Sequence, residues 1–137
     1  FAAAGVKVEL LPAAGSQVYS RVRARQHQAA IRLWIPDYFD AHSNASAFAY
    51  NDGKSSTVAG LNGWQIPQLN QQTLAALAEA DPAKRRALYT AMQQELQRSS
   101  PYVFIDQAKT EVVLRDNVKG YQQGLNADMV YYDRVSK

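Results

Sequence analysis

Two carboxylates three residues apart, Asp37 and Asp40, follow Pro36 in the stretch LWIPDYFDAHSNASAF and stand among Trp34, Tyr38 and Phe39. Carboxylates that face one substrate from environments separating their pKa values can act as a general acid and base. A single carboxylate beside aromatic rings suits recognition of an ammonium group, through a charge-assisted hydrogen bond in a partly desolvated pocket. A third reading is local: Asp side chains in a Pro-containing turn bond their own backbone. Spacing alone favours the turn, and the flanking aromatics shift the weight toward ammonium recognition.

Other chemistries find less support. His27 and His42 are the only histidines, and neither has a carboxylate or a second His at a metal-binding helical spacing. No G-x-S-x-G nucleophile elbow occurs, and GLNGWQ has neither the spacing nor the following Lys of a phosphate loop. The absence of Cys excludes disulfides, thiolate zinc sites and cysteine nucleophiles. The aromatics of VYY at 130–132 read as strand core rather than a stacking platform. The expectation is a binding module and not an enzyme, with no catalytic residue, metal or cofactor.

The elements that would position Asp37 follow from pattern. GVKVELL at 5–11 predicts a strand after a Gly turn. Ser16 is placed to cap a helix running to about Gln26, and AAIRLWI at 29–35 predicts a second strand. Strand, helix, strand in about 30 residues is the pattern of a βαβ unit. Pro36 would then lie at the carboxyl end of a strand, where ligands sit in open α/β sheets. A short helix is expected at 41–49 and an Asn-, Gly- and Ser-rich loop at 50–66. A helix follows from Pro67 to about Ala80, with Leu74, Leu77 and Ala78 as its apolar positions. Asp81-Pro82 restarts the chain as N-cap and first helical residue of a helix to about Arg98, with Leu88, Ala91, Met92 and Leu96 on one face. Strands are predicted at about 102–106, in TEVVLR, and in MVYYDR.

The 137 residues, 47% hydrophobic and 20% charged, suffice for one ordinary domain with a core. No apolar run reaches the ~18 residues of a membrane span, and no signal-peptide pattern opens the chain. A chain that begins with Phe and runs straight into a strand reads as a processed product or part of something longer. The net charge of +3 is mild. Its two basic groups, Arg21, Arg23 and Arg25, and Lys84, Arg85 and Arg86, read as solvated helix faces rather than a nucleic-acid surface.

The order of these motifs resembles the C-terminal part of the family 5 extracellular solute-binding proteins of bacterial ABC importers, the oligopeptide- and dipeptide-binding type. The motifs that carry it are Trp34 followed by DYFDA, then R-x-x-L-Y in Arg85–Tyr89, the polar turn and apolar strand of SSPYVFID, and VKGY at 118–121. The opening AAAGVKVELL adds a segment similar to the family's preceding strand. The departures are Ala41 where Pro is usual after the second acid, and Phe39 where the family often has Pro or a polar residue. The resemblance implies an α/β fold, part of the C-terminal lobe of a two-lobed periplasmic-binding-protein-like (type II) fold, with a mixed sheet flanked by helices. Residues 1–137 would form one α/β domain, a fragment of a larger protein, with about 107–137 returning to the first lobe.

It implies further that Asp37 pairs with the ligand's α-ammonium group, that Leu33, Trp34 and Ile35 offer backbone bonds and a packing ring, and that Tyr38 lines the site. Arg32 is the one Arg named for a ligand carboxylate. The partners would be a small peptide or other small solute and the membrane permease of the importer, without nucleic acid and without direct membrane insertion. The location would be periplasmic, or the cell surface as a lipoprotein. Two other classes compete: a non-catalytic α/β interaction module binding a protein through its helices at 67–98, and, on pI and scattered aromatics only, a small basic RNA-binding domain.

Overall fold

A computed structural model describes residues 1–125 and 129–137. The chain divides into two compact units, Phe1–Arg32 and Leu33–Lys137.

The first unit contains one α-helix, α1, Gly15–Arg23. Ser16 does not cap it. Ala14 is the N-cap residue, without a side-chain bond. The helix stops three residues short of the expected end because Arg25 turns left-handed, at φ 55°. The Gln26 amide then donates to the Arg21 carbonyl and the Arg25 amide to that of Val22, which closes the helix as a Schellman motif. Tyr19 lies under two guanidinium groups, those of Arg23 and Arg32, at 5.1 and 5.0 Å from its ring centre. Val22 is the buried residue of this helix.

The second unit is built on helices α2, Ala41–Phe48; α3, Val58–Leu61; α4, Pro67–Ala78; and α5, Pro82–Ser99. Each begins where local chemistry dictates. Asp40 caps α2 by accepting from the His42 amide, and the Thr57 hydroxyl caps α3 by accepting from the Gly60 amide. Pro67 opens α4, where its missing N–H costs nothing. Asp81 caps α5 by accepting from the Ala83 and Lys84 amides, both at 2.9 Å, with Pro82 at the first helical position. Pro101 stands just beyond the Ser100 C-cap and bars continuation.

Helices α4 and α5 pack on one another and α2 packs on both. The core consists of Ala45, Ala49, Leu69, Ala76, Tyr89, Met92 and Leu96, with Phe48, Trp64, Ile66, Leu88 and Tyr102 against it. Met92 and Leu96 are buried as the α5 pattern predicts and Leu88 packs against the core, but Ala91 is exposed and Tyr89 is buried in its stead. The α4 pattern is corrected: its buried face is Leu69, Thr73 and Ala76, while Leu74 and Leu77 are half exposed and Ala78 is exposed. Positions 69, 73 and 76 follow the four- and three-residue spacing of one helix face; Leu74 and Leu77 fall on the neighbouring one. Thr73 is accommodated because its hydroxyl donates to the Leu69 carbonyl at 2.7 Å.

The loop between α2 and α4 is organised around Asn51, which is buried. Its amide nitrogen Nδ2 donates to the Trp64 carbonyl, its Oδ1 accepts from the Gly53 amide, and its own backbone N–H and C=O are held by the Asn70 side chain. Gln65 adds a second bond to the Asn51 carbonyl.

The α/β expectation is overturned. Among the described residues there is no sheet, and β-pairing is confined to two isolated antiparallel bridges, Lys119 with Ser136 and Gln123 with Val130. The predicted strands at 5–11, 29–35, 102–106 and 110–115 form no ladder, so there is neither a βαβ unit nor a mixed sheet flanked by helices, and Pro36 does not end a strand. MVYYDR holds one bridge residue, Val130, and a 3-10 turn at Tyr132–Arg134. The physical reason is that β-branched runs confer only a fit to a pleated, half-buried surface. A strand exists when a second strand satisfies its amides and carbonyls. Helical hydrogen bonds are local and need no such partner. Gly120 of the VKGY motif is needed at its bridge: its φ is 71°, and a Cβ there would collide with the Arg134 carbonyl.

Candidate functional site

The two acids of the opening stretch have different fates. Asp40 is consumed by structure. Besides capping α2, its carboxylate takes a two-pronged ion pair from Arg85 of α5, with Nη1 to Oδ2 at 3.0 Å and Nη2 to Oδ1 at 2.7 Å. Arg85 is itself fixed: Nε donates to the Ala76 carbonyl near the end of α4, Nη2 to the Tyr89 hydroxyl, and the guanidinium carbon lies 4.9 Å from the centre of the Tyr89 ring. One side chain thus ties the start of α2 to both long helices. The Arg85 bond holds the Asp40 carboxyl below the usual carboxylate value, helped by the His42 amide and opposed by desolvation. The pairing raises Arg85 in turn, and burial raises the Tyr89 phenol.

Asp37 is exposed and makes no hydrogen bond or ion pair among the described residues. The residues before it differ in how they are attached. Trp34 is pinned by an indole N–H bond to Asn44 Oδ1 at 2.9 Å and by an edge-on contact with Phe48, centres 5.3 Å apart. Leu33 and Ile35 expose their side chains, and no backbone hydrogen bond among the described residues engages 33–36. Tyr38 is half exposed, and Phe39 is 75% exposed and so packs on little. The Tyr38 carbonyl accepts from the Asp40 amide, which closes the turn between the two acids.

The ring contacts continue from Trp34 and Phe48. Tyr102 and Phe104 stand edge-on to Phe48, at 5.3 and 5.8 Å, and Trp64 reaches Tyr102 at 5.8 Å. These aromatic pairs prefer such edge geometry. Burial pushes the Tyr102 phenol up to about 12, against the pull of the Asn62 side chain. Tyr102 therefore stays a neutral member of the cluster at any physiological pH.

The five residues expected to bind ligand, Leu33, Trp34, Ile35, Asp37 and Tyr38, form one continuous exposed segment rather than a walled pocket. A half-open groove lies elsewhere, between α4 and α5, lined by Ile66, Leu69, Ala91, Glu95 and Arg98. Arg32, named for a ligand carboxylate, is engaged with Tyr19. No cluster of three or more metal-binding side chains occurs among the described residues, around His42 or elsewhere. Of the basic run in α5, Lys84 and Arg86 are solvated as expected and Arg85 is not.

Sequence reasoning singled out DYFDA and R-x-x-L-Y separately and missed that Asp40 and Arg85 join them. The signal was present, since an acid and a base that each sit inside a motif invite a test of pairing. It also missed Asn51, for which an Asn in a Gly- and Ser-rich loop gives no distinguishing mark. Comparison with known proteins yields no matching family model, no matching curated protein and no matching solved structure.

Proposed function

We propose that this chain is the substrate-binding component of an ABC transporter, capturing peptides or related small solutes, with Asp37 as the clamp for an ammonium group. The transport assignment rests on the resemblance of DYFDA, R-x-x-L-Y and VKGY to the solute-binding proteins. The clamp rests on one observation: of two acids three residues apart, Asp40 is engaged by Arg85 and α2 while Asp37 is exposed and has no partner among the described residues. An exposed carboxylate three residues after a pinned indole, with the backbone amides and carbonyls at 33–35 unpaired among the described residues, offers an amine a charge-assisted bond and a peptide its main-chain partners. No catalytic step and no cofactor enters this reading. The membrane permease of the importer would be the protein partner, and the compartment periplasmic or, as a lipoprotein, the cell surface.

Native mass spectrometry of the full-length gene product that contains this sequence, purified without refolding, identifies any retained ligand. A peptide or other amine is the expected result; a ligand without an amine would overturn the role of Asp37. Calorimetric titration with a short peptide, free or N-acetylated, then compares the wild type with Asp37→Asn. Acetylation and the substitution are each expected to abolish the same part of the affinity.

A second reading, a non-catalytic module that binds a protein partner, draws on the apolar side chains that 103–105 and 112–114 leave in solvent. Helices 67–98 do not favour it, since their apolar faces are largely used by the core.

A further inference from the structure

The stretch after α5 carries strand-forming residues that the chain leaves unused. From Val103 to Leu114 no backbone hydrogen bond is made among the described residues. Val103, Phe104 and Ile105 are 85%, 65% and 74% exposed. Further along, exposure alternates with the period of a strand: Val112 44%, Val113 97%, Leu114 43%. Unpaired amides and carbonyls beside β-branched side chains are a template for pairing with another strand. The first part of this stretch is anchored, since Phe104 and Tyr102 stand edge-on to Phe48. The part around Val113 has no such anchor.

The charges around Val113 specify the occupant. In an antiparallel pair of identical strands, a two-fold axis normal to the pair passes where one residue faces its own copy. Centred on Val112, such a pair would place Lys109 opposite Arg115; centred on Leu114, Lys109 would face Lys119. Both set like charges across the ladder, which is unfavourable. Centred on Val113, Glu111 faces Arg115 twice, Val112 faces Leu114 twice, and Thr110 faces Asp116. The two half-covered residues then share one face and Val113, the most exposed side chain of the three, meets its own copy on the other.

We infer that Thr110–Asp116 is a self-pairing strand through which two copies of this chain associate, antiparallel, about a two-fold axis at Val113. The register makes the interface isologous, so one segment supplies both halves.

The absence of Cys from the chain makes the test clean. Val113→Cys puts a lone thiol on the axis and is expected to form a disulfide-linked dimer on mild oxidation. Lys109→Cys places its thiol opposite Asn117 of the second copy and is expected to form no disulfide link on the same treatment. Sedimentation equilibrium of the full chain then compares charge variants. Glu111→Arg and Arg115→Glu are each expected to weaken dimerisation about tenfold, and the double exchange to restore it. A wild type that stays monomeric, equal cross-linking of both Cys variants, or single and double exchanges that behave alike would each overturn the register. Helical circular dichroism of every variant confirms that the core is intact, since none of these positions contributes to it.

Discussion

Within the second unit, residues 40–100 and residues 102–115 are both rich in apolar side chains, the latter more so, and come to opposite ends. The first stretch buries Leu69, Met92 and Leu96 and caps three of its four helices with Asp40, Thr57 and Asp81. The second leaves Val103, Ile105 and Val113 in solvent. Apolar residues at helical spacing carry their hydrogen bonds with them, so packing needs only a second helix within reach. Apolar residues at strand spacing need a ladder, and none forms there among the described residues. The difference lies in where the backbone partner comes from, local in one case and external in the other.

Breaking the packed region is expected to have the largest effect. Met92→Ala empties a fully buried position between α4 and α5 and is expected to cost about 2–5 kcal/mol in chemical denaturation. Val113→Thr, at 97% exposure, is expected to stay within about 0.5 kcal/mol. Equal losses at the two sites would show that the stretch around Val113 is packed in solution and would dissolve the contrast.

Next is the Asp40–Arg85 pair. Asp40→Ala removes a cap worth ~1 kcal/mol and a part-exposed ion pair, screened to at most about 1 kcal/mol more. Asp40→Asn keeps the cap and loses the charge, so it isolates the pair. The pH dependence has a definite sign. The folded carboxyl is held below the ordinary value of 3.8, so the unfolded state binds the proton more readily. The stabilisation is therefore complete above about pH 5, and declines as pH falls through 3.8 toward the lowered folded value. Denaturation midpoints of wild type and Asp40→Asn are expected to converge at the acid end.

How much was legible follows from the same contrast. Helices α2, α4 and α5 were readable because Asp81-Pro82, Pro67 and the Met92–Leu96 spacing act within a few residues of where they stand. The end of α1 was not, because Arg25 in the left-handed region takes a position where a Gly would have been the sign. The predicted strands failed as a class, since GVKVELL and TEVVLR state only a preference whose fulfilment depends on distant backbone. In the candidate site the two acids were legible as residues but not as roles. Which of them would be free depended on Arg85, 45 positions away from Asp40.

A smaller loss tests the local half of the contrast. Asp81→Ala leaves the α5 amides of Ala83 and Lys84 to solvent and is expected to cost about 1 kcal/mol. Asp81→Asn is expected to cost less than half of that, because an Asn side chain still accepts. Thermal midpoints of the two variants check the order.

The smallest expected change in stability is at Asp37, and that is what makes it informative. A carboxylate with no hydrogen bond and no ion pair among the described residues can be replaced by Asn or Ala with a shift within about 0.5 kcal/mol. Asp40→Asn, three residues on, is expected to destabilise more while leaving Asp37, the proposed ammonium clamp, in place. Stability and binding should therefore separate across these two positions: Asp40 variants lose the former, Asp37 variants the latter. If Asp37→Asn destabilised the chain as much as Asp40→Asn does, the carboxylate would have a structural partner and its availability to an amine would be refuted. If instead it left both stability and peptide affinity unchanged, the ammonium clamp would fall, and the exposed aromatics Tyr38 and Phe39 would be the next positions to vary.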